Sequence, residues 1–188
     1  ASKIDRNDDN FLDLPLTTKY SLYNKWVYGL ENNSNFYSSN SIRFLNENKV
    51  GGELDFDENT HLGGNEVYGQ VVEYNQFEAN SKNSFQLNDK NVLMAQGFFT
   101  YQNQDAFYGT TEYIVDQIQF YFSLDNQYSW RNHTLKTGIS LRKLDLDEKI
   151  ILKDNLINGL TYERAYGGEY NKDEFIPGIY LENNFNWR

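Results

Sequence analysis

The feature that most constrains the fold is a strict alternation of apolar and polar residues in the segment QIQFYFSLDNQYSW, at residues 117–130. The apolar series consists of Ile118, Phe120, Phe122, Leu124, Tyr128 and Trp130. The polar series consists of Gln117, Gln119, Ser123, Asp125, Gln127 and Ser129. Successive side chains of a β-strand point to opposite faces, so this period of two predicts a strand with one apolar and one polar face. Strands in globular proteins usually have about 5–6 residues, and this one is far longer.

A second strand follows directly and predicts a hairpin. Arg131 and Asn132 supply a tight turn, and HTLKTGISLRK then resumes the alternation. Its apolar series is Leu135, Ile139 and Leu141, and its polar series is Lys136, Ser140 and Arg142.

The same alternation recurs in NVLMAQGFFTYQNQ and in FIPGIYLENNFNW, and less regular strands are predicted at residues 17–30, 36–48 and 67–87. The chain therefore has about seven predicted strands. Short turns at residues 31–35, 88–91 and 131–132 alternate with long polar links at 49–66, 103–116 and 145–174. Transmembrane β-barrels show this asymmetry, with short periplasmic turns and long extracellular loops.

Composition excludes several classes of protein. The 15 Tyr, 13 Phe and 3 Trp residues against only 2 Pro favour β-structure. A net charge of −10 would repel nucleic acid, and the absence of cysteine excludes disulfides and thiolate metal sites. No apolar run approaches the roughly 20 residues of a spanning helix, whereas barrel strands alternate and read as hydrophilic on average. All three tryptophans, Trp26, Trp130 and Trp187, are predicted near short-turn ends, where an interfacial aromatic girdle would lie.

Three stretches resemble the barrel portion of TonB-dependent outer-membrane receptors of the Bacteroidetes type. They are DRNDDNFLDLPLTTKYSLYNKWVY, the hairpin LDNQYSWRNHTLKTGISLRKLDLDEK and the late EFIPGIYLENNFNW. The resemblance implies an all-β, antiparallel, up-and-down transmembrane barrel that captures a scarce nutrient, such as an iron chelate, cobalamin or a glycan, for active import. It also implies outer-membrane lipid, a small nutrient ligand, TonB acting through a plug, and a surface lipoprotein as partners.

About seven strands cannot close a barrel of that family's size, and no plug pattern is visible in the sequence. We therefore expect residues 1–188 to be an internal portion of a longer receptor. On this interpretation Ile118, Phe120, Phe122, Leu124, Leu135, Ile139 and Leu141 face lipid. The lumen is then lined by Gln119, Ser123, Asp125, Lys136 and Arg142.

The segment DRNDDNFLD, at residues 5–13, has the spacing of a calcium-binding loop. Such loops take oxygen ligands from alternate positions, with a backbone carbonyl at the seventh. The corresponding residues are Asp5, Asn7, Asp9, Phe11 (carbonyl) and Asp13. Asn10 stands where glycine usually makes the sharp turn, and Leu16 stands where a bidentate Glu would close the shell. Residues 1–16 are thus predicted to be a calcium-type loop leading into the first strand, and an acidic outer loop is the alternative.

Three tyrosines in the predicted outer loops, Tyr108, Tyr113 and Tyr166, are candidate ligand contacts, although tyrosines there also serve as simple packing. His61 and His133 stand alone, and the Ser, His and Asp residues follow no catalytic order, so an enzyme is not expected. The alternative to a transporter is a soluble, secreted β-sandwich that binds carbohydrate or calcium.

Overall fold

The computed structural model describes residues 3–29, 35–152, 156–157, 160–161 and 166–187. Its strands are β1 Leu16–Tyr28, β2 Phe36–Gly52, β3 Gly69–Asn88, β4 Asn91–Tyr108, β5 Thr111–Trp130, β6 His133–Leu152, β7 Leu156–Ile157, β8 Leu160–Thr161 and β9 Gly168–Phe185. One short helix, α1 Glu58–His61, lies in the connection between β2 and β3.

Seven of these strands form one antiparallel sheet in the order β1-β2-β3-β4-β5-β6-β9. Every neighbour in the sheet is also the next long strand in the chain, so the topology is up-and-down. The prediction of about seven antiparallel, up-and-down strands is confirmed. The sheet is open, because β1 and β9 form its two edges and do not pair with each other.

The long polar link predicted at residues 103–116 is wrong. β4 continues to Tyr108 and β5 begins at Thr111, so only Gly109 and Thr110 separate them, with Gly109 in the left-handed region (φ 57°). The predicted links at 49–66 and 145–174 are likewise shorter, since β2 extends to Gly52, β6 to Leu152, and β9 begins at Gly168. We call the end of the strands where these connections lie the loop end. The opposite end, which carries the 89–90 and 131–132 turns and the connection between β1 and β2, is the turn end. The turn predicted at residues 31–35 lies outside the described residues except for Asn35.

The register assigns every residue to one of two faces, because directly paired residues lie on the same face. Face A comprises the even-numbered residues of β1, β2 and β5 and the odd-numbered residues of β3, β4, β6 and β9. Face B comprises the others. Phe122 pairs with Leu141, and Leu124 pairs with Ile139, so the two apolar series of the hairpin share face A as predicted. Trp130 pairs with His133 across the predicted Arg131-Asn132 turn, where Arg131 has a φ of 49°.

The sheet encloses almost no apolar core. Among the described residues only Phe56, Val71, Ala106, Val115 and Leu144 are buried hydrophobics. Phe56 lies over Gly69, where an added Cβ would come within 2.1 Å of its ring, so this glycine makes room for the aromatic side chain at the loop end. In the same part of the chain, no helix is long and apolar enough to cross a membrane.

Candidate functional surfaces

Face A carries most of the large apolar side chains that the sheet leaves exposed. Exposures run from 38% at Phe120 to 88% at Ile179 and 89% at Trp187. The exposed set comprises Tyr20, Leu22, Trp26, Tyr28, Phe44, Phe85, Leu87, Tyr101, Ile118, Phe120, Tyr128, Ile139, Phe175, Ile179, Leu181, Phe185 and Trp187. Soluble monomers rarely expose a contiguous apolar patch of more than a few hundred Å². An apolar surface spread over seven strands therefore needs an apolar neighbour.

This apolar belt has a definite height. On β5 it runs from Ile118 to Trp130, and polar residues of face A begin at Asp116. Twelve steps at about 3.4 Å span about 41 Å along the strand, which a tilt of about 40° reduces to about 31 Å. The apolar band of a membrane barrel is about 25 Å tall, flanked by aromatic girdles. The height of the belt is therefore comparable to that of such a band together with one girdle, although the strands themselves are longer.

Five rings form a continuous cluster on face A at the turn end. The centroid distances are 5.7 Å from Tyr128 to Trp130, 5.0 Å from Trp130 to His133, 4.6 Å from His133 to Phe185 and 4.8 Å from Phe185 to Trp187. His133 belongs to this stack, so its role is packing between Trp130 and Phe185. The position of the cluster is where an interfacial girdle is expected.

A ring of four hydrogen bonds interrupts the apolar belt on β2 and β3. The Ser38 hydroxyl donates to Asn83 Oδ1 (2.7 Å), and Asn83 Nδ2 donates to Ser81 Oγ (3.0 Å). Ser81 in turn donates to Asn40 Oδ1 (2.7 Å), and Asn40 Nδ2 donates to Ser38 Oγ (2.9 Å). Each side chain both donates and accepts, so every polar side-chain atom of the four has a partner on an otherwise apolar surface.

Face B holds every glutamine of the chain. Their positions follow from the register: Gln70, Gln76, Gln86, Gln96, Gln102, Gln104, Gln117, Gln119 and Gln127. We name the central part of this lining the amide patch, which consists of Gln76, Gln102, Gln104, Gln117, Gln119 and Thr100. Gln102 is its centre, because its Oε1 accepts from the Tyr74 hydroxyl (3.2 Å) and its Nε2 donates to Gln117 Oε1 (3.1 Å).

The charged groups on the β1–β3 side of the amide patch are paired. Arg43 Nη2 donates to Glu78 Oε1 (2.8 Å) and to Gln76 Oε1 (3.3 Å), and Arg43 Nε lies 2.8 Å from Glu78 Oε2. Glu47 lies 3.7 Å from Lys19 and 3.4 Å from Lys49. On the β6 side, Arg142 and Glu148 also lie on face B, two residues from Leu144 and Leu146 respectively, the partners of Gln119 and Gln117.

The acidic excess lies on face A instead, between the apolar belt and the loop end. The acidic residues of face A in this region are Glu73, Asp105, Glu112, Asp116, Asp145, Asp147, Glu169 and Asp173. Lys143 and Lys149 are the basic residues of the same face, and Lys143 pairs with Asp173. The two faces thus differ in charge as well as in polarity.

Asp125 is the most buried charged residue on face B, at 1% exposure. Its Oδ2 lies 3.5 Å from Ser123 Oγ and 4.0 Å from Lys136 Nζ, while its Oδ1 has no hydrogen-bond partner in the described part of the chain. Gly138 makes room for it: an added Cβ would stand 2.3 Å from Asp125 Oδ1 and 2.5 Å from the Tyr180 ring. Lys136 also lies over that ring, 5.6 Å from its centroid.

The calcium-type segment folds into a turn held by its own hydrogen bonds. Asp5 Oδ2 accepts from the backbone amide of Asn10 (3.0 Å), and Asp9 Oδ1 accepts from that of Phe11 (2.9 Å). Asp13 Oδ2 accepts from the backbone amide of Arg6 (2.9 Å), and Asp9 Oδ2 from Asn7 Nδ2 (2.8 Å). Asn10 is left-handed (φ 68°), as its position in the motif predicts, and so is Asp8 (φ 55°).

The predicted calcium ligands therefore share one turn, but most of their carboxylate oxygens accept hydrogen bonds from it. One oxygen, Asp5 Oδ1, is buried without a partner among the described residues. Within those same residues no three His, Asp or Glu side chains are grouped so that they could hold a metal ion. Calcium binding at Asp5, Asn7, Asp9, Phe11 and Asp13 stays a prediction.

Two of the three candidate tyrosines come together. Tyr108 and Tyr113 lie on face B of the β4–β5 hairpin. Tyr113 pairs with the buried Ala106, and one intervening pair separates it from Tyr108 in the register. Tyr166 lies between β8 and β9, 75% exposed, and its carbonyl accepts from the Tyr170 hydroxyl (3.3 Å). The tyrosines that contact the amide patch are different ones, since Tyr74 bonds to Gln102.

Sequence reasoning missed both the amide patch and the serine–asparagine ring. The signal for the patch was present, because the glutamines fall in the polar series of the predicted strands. The ring has no such local signal, since it depends on which residues of β2 and β3 are paired. No family model, curated protein or solved structure matches the chain.

Proposed function

We propose that the chain forms part of the barrel wall of a TonB-dependent outer-membrane receptor that captures a scarce nutrient for import. The observation that carries this proposal is the exposed apolar belt of face A, opposite a polar face B. Burial of apolar surface stabilises by about 25 cal/mol per Å², so a sheet that leaves its apolar side chains exposed gains little unless lipid covers them.

Strand length and topology support the same proposal. The long strands have 13 to 20 residues and run up and down without crossovers, whereas a membrane-crossing strand needs about 9–11. On face A the surplus at the loop end carries acidic side chains such as Asp105, Glu112 and Asp116, as suits a part of the wall that rises above the bilayer. The nutrient, the TonB partner, the plug and a surface lipoprotein come from the family resemblance alone.

A β-sandwich would need a second sheet against face A. In the part of the chain that the structure describes, the only other sheet is the pair β7–β8, of two residues each. The seven-stranded sheet therefore favours a barrel wall over the soluble alternative.

The test uses the full gene product in its native host. We expect the protein to remain with the outer membrane after salt and alkaline washes and to require detergent for release. Recovery in the soluble fraction without detergent would contradict the proposal.

Spin labels at Ile118 and Gln119, which are neighbours on opposite faces, give a finer test. Oxygen accessibility should be lipid-like at Ile118 and low at Gln119.

We propose calcium as a stabilising ligand of the lead-in turn at residues 5–13. Calcium would screen three carboxylates that otherwise repel one another, and Asp5 Oδ1 is an oxygen without another partner in the described chain. Calorimetry on the intact protein and on Asp5→Ala/Asp9→Ala tests this, and indistinguishable isotherms would dispose of the site.

A further inference from the structure

We propose that a recess on face A binds a membrane glycerophospholipid through its ester carbonyls. The floor of the recess is the serine–asparagine ring together with the small residues Ala79, Ala95 and Gly97. The proposal rests on the proposed function and deepens it, because it locates one lipid site on the surface that is proposed to face the bilayer. It depends on four features: an open floor, an aromatic rim, spare amide donors and the depth of the ring in the belt.

The floor is made of small side chains that meet across three strands. In the register, Asn40 pairs with Ser81, and Ser81 pairs with Gly97. An added Cβ at Gly97 would meet nothing within 4 Å, so the space above this residue is open. Asn40, Ala79, Ser81 and Gly97 help to line a cavity of about 300 Å³. The floor therefore lies below the level of the bulky side chains around it.

Two rows of aromatic side chains border the floor, one toward each end of the strands. The turn-end row is Tyr28, Phe36 and Phe85, with successive ring centroids 5.9 and 4.5 Å apart. The loop-end row is Phe44, Phe77 and Phe99, with successive centroids 4.8 and 6.1 Å apart. A recess between two rows of rings suits an acyl chain, which has no polar atoms and gains from apolar contact alone.

Spare amide hydrogens indicate a ligand with acceptor oxygens. A side-chain amide has two N–H donors. Among the described residues, the structure gives each amide of the ring one acceptor: Asn40 Nδ2 donates to Ser38 Oγ, and Asn83 Nδ2 donates to Ser81 Oγ. Each amide therefore keeps a second N–H, and in hydrocarbon an N–H without an acceptor is costly. Acyl tails offer no acceptor, whereas the ester carbonyls of a glycerophospholipid do.

The depth of the ring matches the ester region of one leaflet. Ser38 and Asn40 follow Phe36 of the turn-end row by two and four residues. At about 3.4 Å per residue and a tilt of about 40°, they lie about 5 and 10 Å deeper in the bilayer than that row. The polar interfacial layer is about 5–8 Å thick on each side of the hydrocarbon core. With the aromatic row in that layer, the ring lies where ester carbonyls join the acyl tails, in the leaflet at the turn end.

The experiment compares two phosphatidylethanolamines that have the same headgroup and chain lengths, one with ester-linked and one with ether-linked chains. The ether lipid has no carbonyl oxygen, so it offers the amides no such acceptor. The intact receptor in detergent is incubated with an equimolar mixture, and native mass spectrometry measures how much of each lipid stays bound. We expect at least about threefold more of the ester lipid, since each added hydrogen bond contributes a modest net free energy. Equal retention of the two lipids overturns the proposal.

Variants locate the site. Ser38→Ala/Asn40→Leu/Ser81→Ala/Asn83→Leu removes the donors and should abolish the preference for the ester lipid. Asn126→Leu is the matched control, because Asn126 is another asparagine of face A but donates to Asn91, outside the ring. The control should keep the preference. A preference that survives in the quadruple variant, or is lost equally in the control, overturns the assignment.

Gly97→Leu is an independent variant that leaves every side chain of the ring in place. Its side chain fills the open space over the floor, so it should also abolish the preference for the ester lipid. A preference unchanged in this variant overturns the assignment to the recess. Small residues also allow close approach between membrane proteins, so a second copy of the chain is the competing occupant. A dimer that Gly97→Leu dissociates, detected in the same spectra, would assign the recess to that copy and overturn the lipid proposal.

Failure here is distinguishable from failure of the proposed function. Spin labels at Ile118 and Gln119 report whether face A contacts lipid, whichever lipid occupies the recess. Lipid-like accessibility at Ile118 with equal retention of the ester and ether lipids would reject the lipid site and keep the barrel wall.

Discussion

Two halves of the apolar belt solve the same physical problem differently. On β5, β6 and β9 the paired rows are Phe122, Leu141 and Pro177, followed by Leu124, Ile139 and Ile179. At the same level on β2 and β3 the rows are Asn40 with Ser81 and Ser38 with Asn83. One half presents bulky apolar groups, and the other presents small polar groups that are bonded in a closed ring.

The comparison shows how polar residues can belong to an apolar surface, provided that their polar atoms are paired. In hydrocarbon an unsatisfied polar group costs several kcal/mol, because no water is present to bond it. The ring of Ser38, Asn40, Ser81 and Asn83 pairs all four groups internally. The two halves of the belt are therefore compatible with the same surroundings.

The largest expected effect tests the bulky half. Phe120→Arg places a charge on face A, and it should lower the free energy of unfolding by about 2–4 kcal/mol if face A contacts lipid and Phe120 lies near the bilayer midplane. Gln119→Arg, on face B, should cost less than about 1 kcal/mol. Urea unfolding of the protein in phospholipid vesicles measures both. Equal costs would contradict the assignment of faces.

The next effect tests the small polar half. Asn83→Ala removes one member of the ring and leaves the Ser38 and Ser81 hydroxyls each without one partner, which should cost about 1–3 kcal/mol. The quadruple variant Ser38→Ala/Asn40→Leu/Ser81→Ala/Asn83→Leu removes every member and should be close to neutral, since no polar group is left unpaired. The same urea titration compares them. A quadruple variant less stable than the single one would show that the ring has another partner.

A smaller effect separates two glycines, one on each face. Gly138→Ala brings a Cβ within 2.3 Å of Asp125 Oδ1 and should cost about 1 kcal/mol through displacement of that carboxylate and of Tyr180. Gly97 lies on face A beside Phe122, and an added Cβ meets nothing within 4 Å. Gly97→Ala should therefore be neutral or slightly stabilising. Chemical denaturation of both variants measures the difference. An equal loss of unfolding free energy in each would show that Gly138 is not needed to make room for Asp125.

The smallest effect lies outside both halves of the belt, in the connection between β2 and β3. The backbone amide of Asn59 donates to Asp57 Oδ1 (2.8 Å) and lowers the pKa of that carboxyl below its usual 3.8. Because the folded pKa is lowered, the ionised carboxylate stabilises the folded protein at pH values above the unfolded pKa. This stabilisation is lost as the pH falls through the folded pKa. Carbon chemical shifts of Asp57 should show the lowered titration. Asn59→Pro, which lacks the donating amide, should raise it, and Asn59→Ala should retain most of the shift; an unchanged pKa in Asn59→Pro would reject this cause.

Much of the fold could be predicted because its signal is local. Ile118, Phe120 and Phe122 alternate with Gln117 and Gln119, and this alternation predicts which residues share a face. The prediction does not depend on which strand lies next to it. The tight turn at Arg131 is equally local, since its left-handed backbone belongs to the turn itself.

The ends of the strands could not be predicted in the same way. Beyond the apolar belt, Gln102, Asn103, Gln104 and Asp105 of β4 are polar on both faces, so the period of two disappears at this point. The sequence there is typical of a loop. The segment is nevertheless strand, because β3 and β6 lie on either side and supply its hydrogen bonds.

The sequence by itself determined the class of structure, the two chemical faces and the hairpin turns, because these depend on the geometry of a strand and on neighbours along the chain. Tertiary structure alone decided the register, and with it every contact between strands: the Ser38–Asn83 ring, the Gln102–Gln117 bond and the room that Gly138 leaves for Asp125. The physical reason is that a shift in register by two residues keeps every side chain on its face but changes every partner.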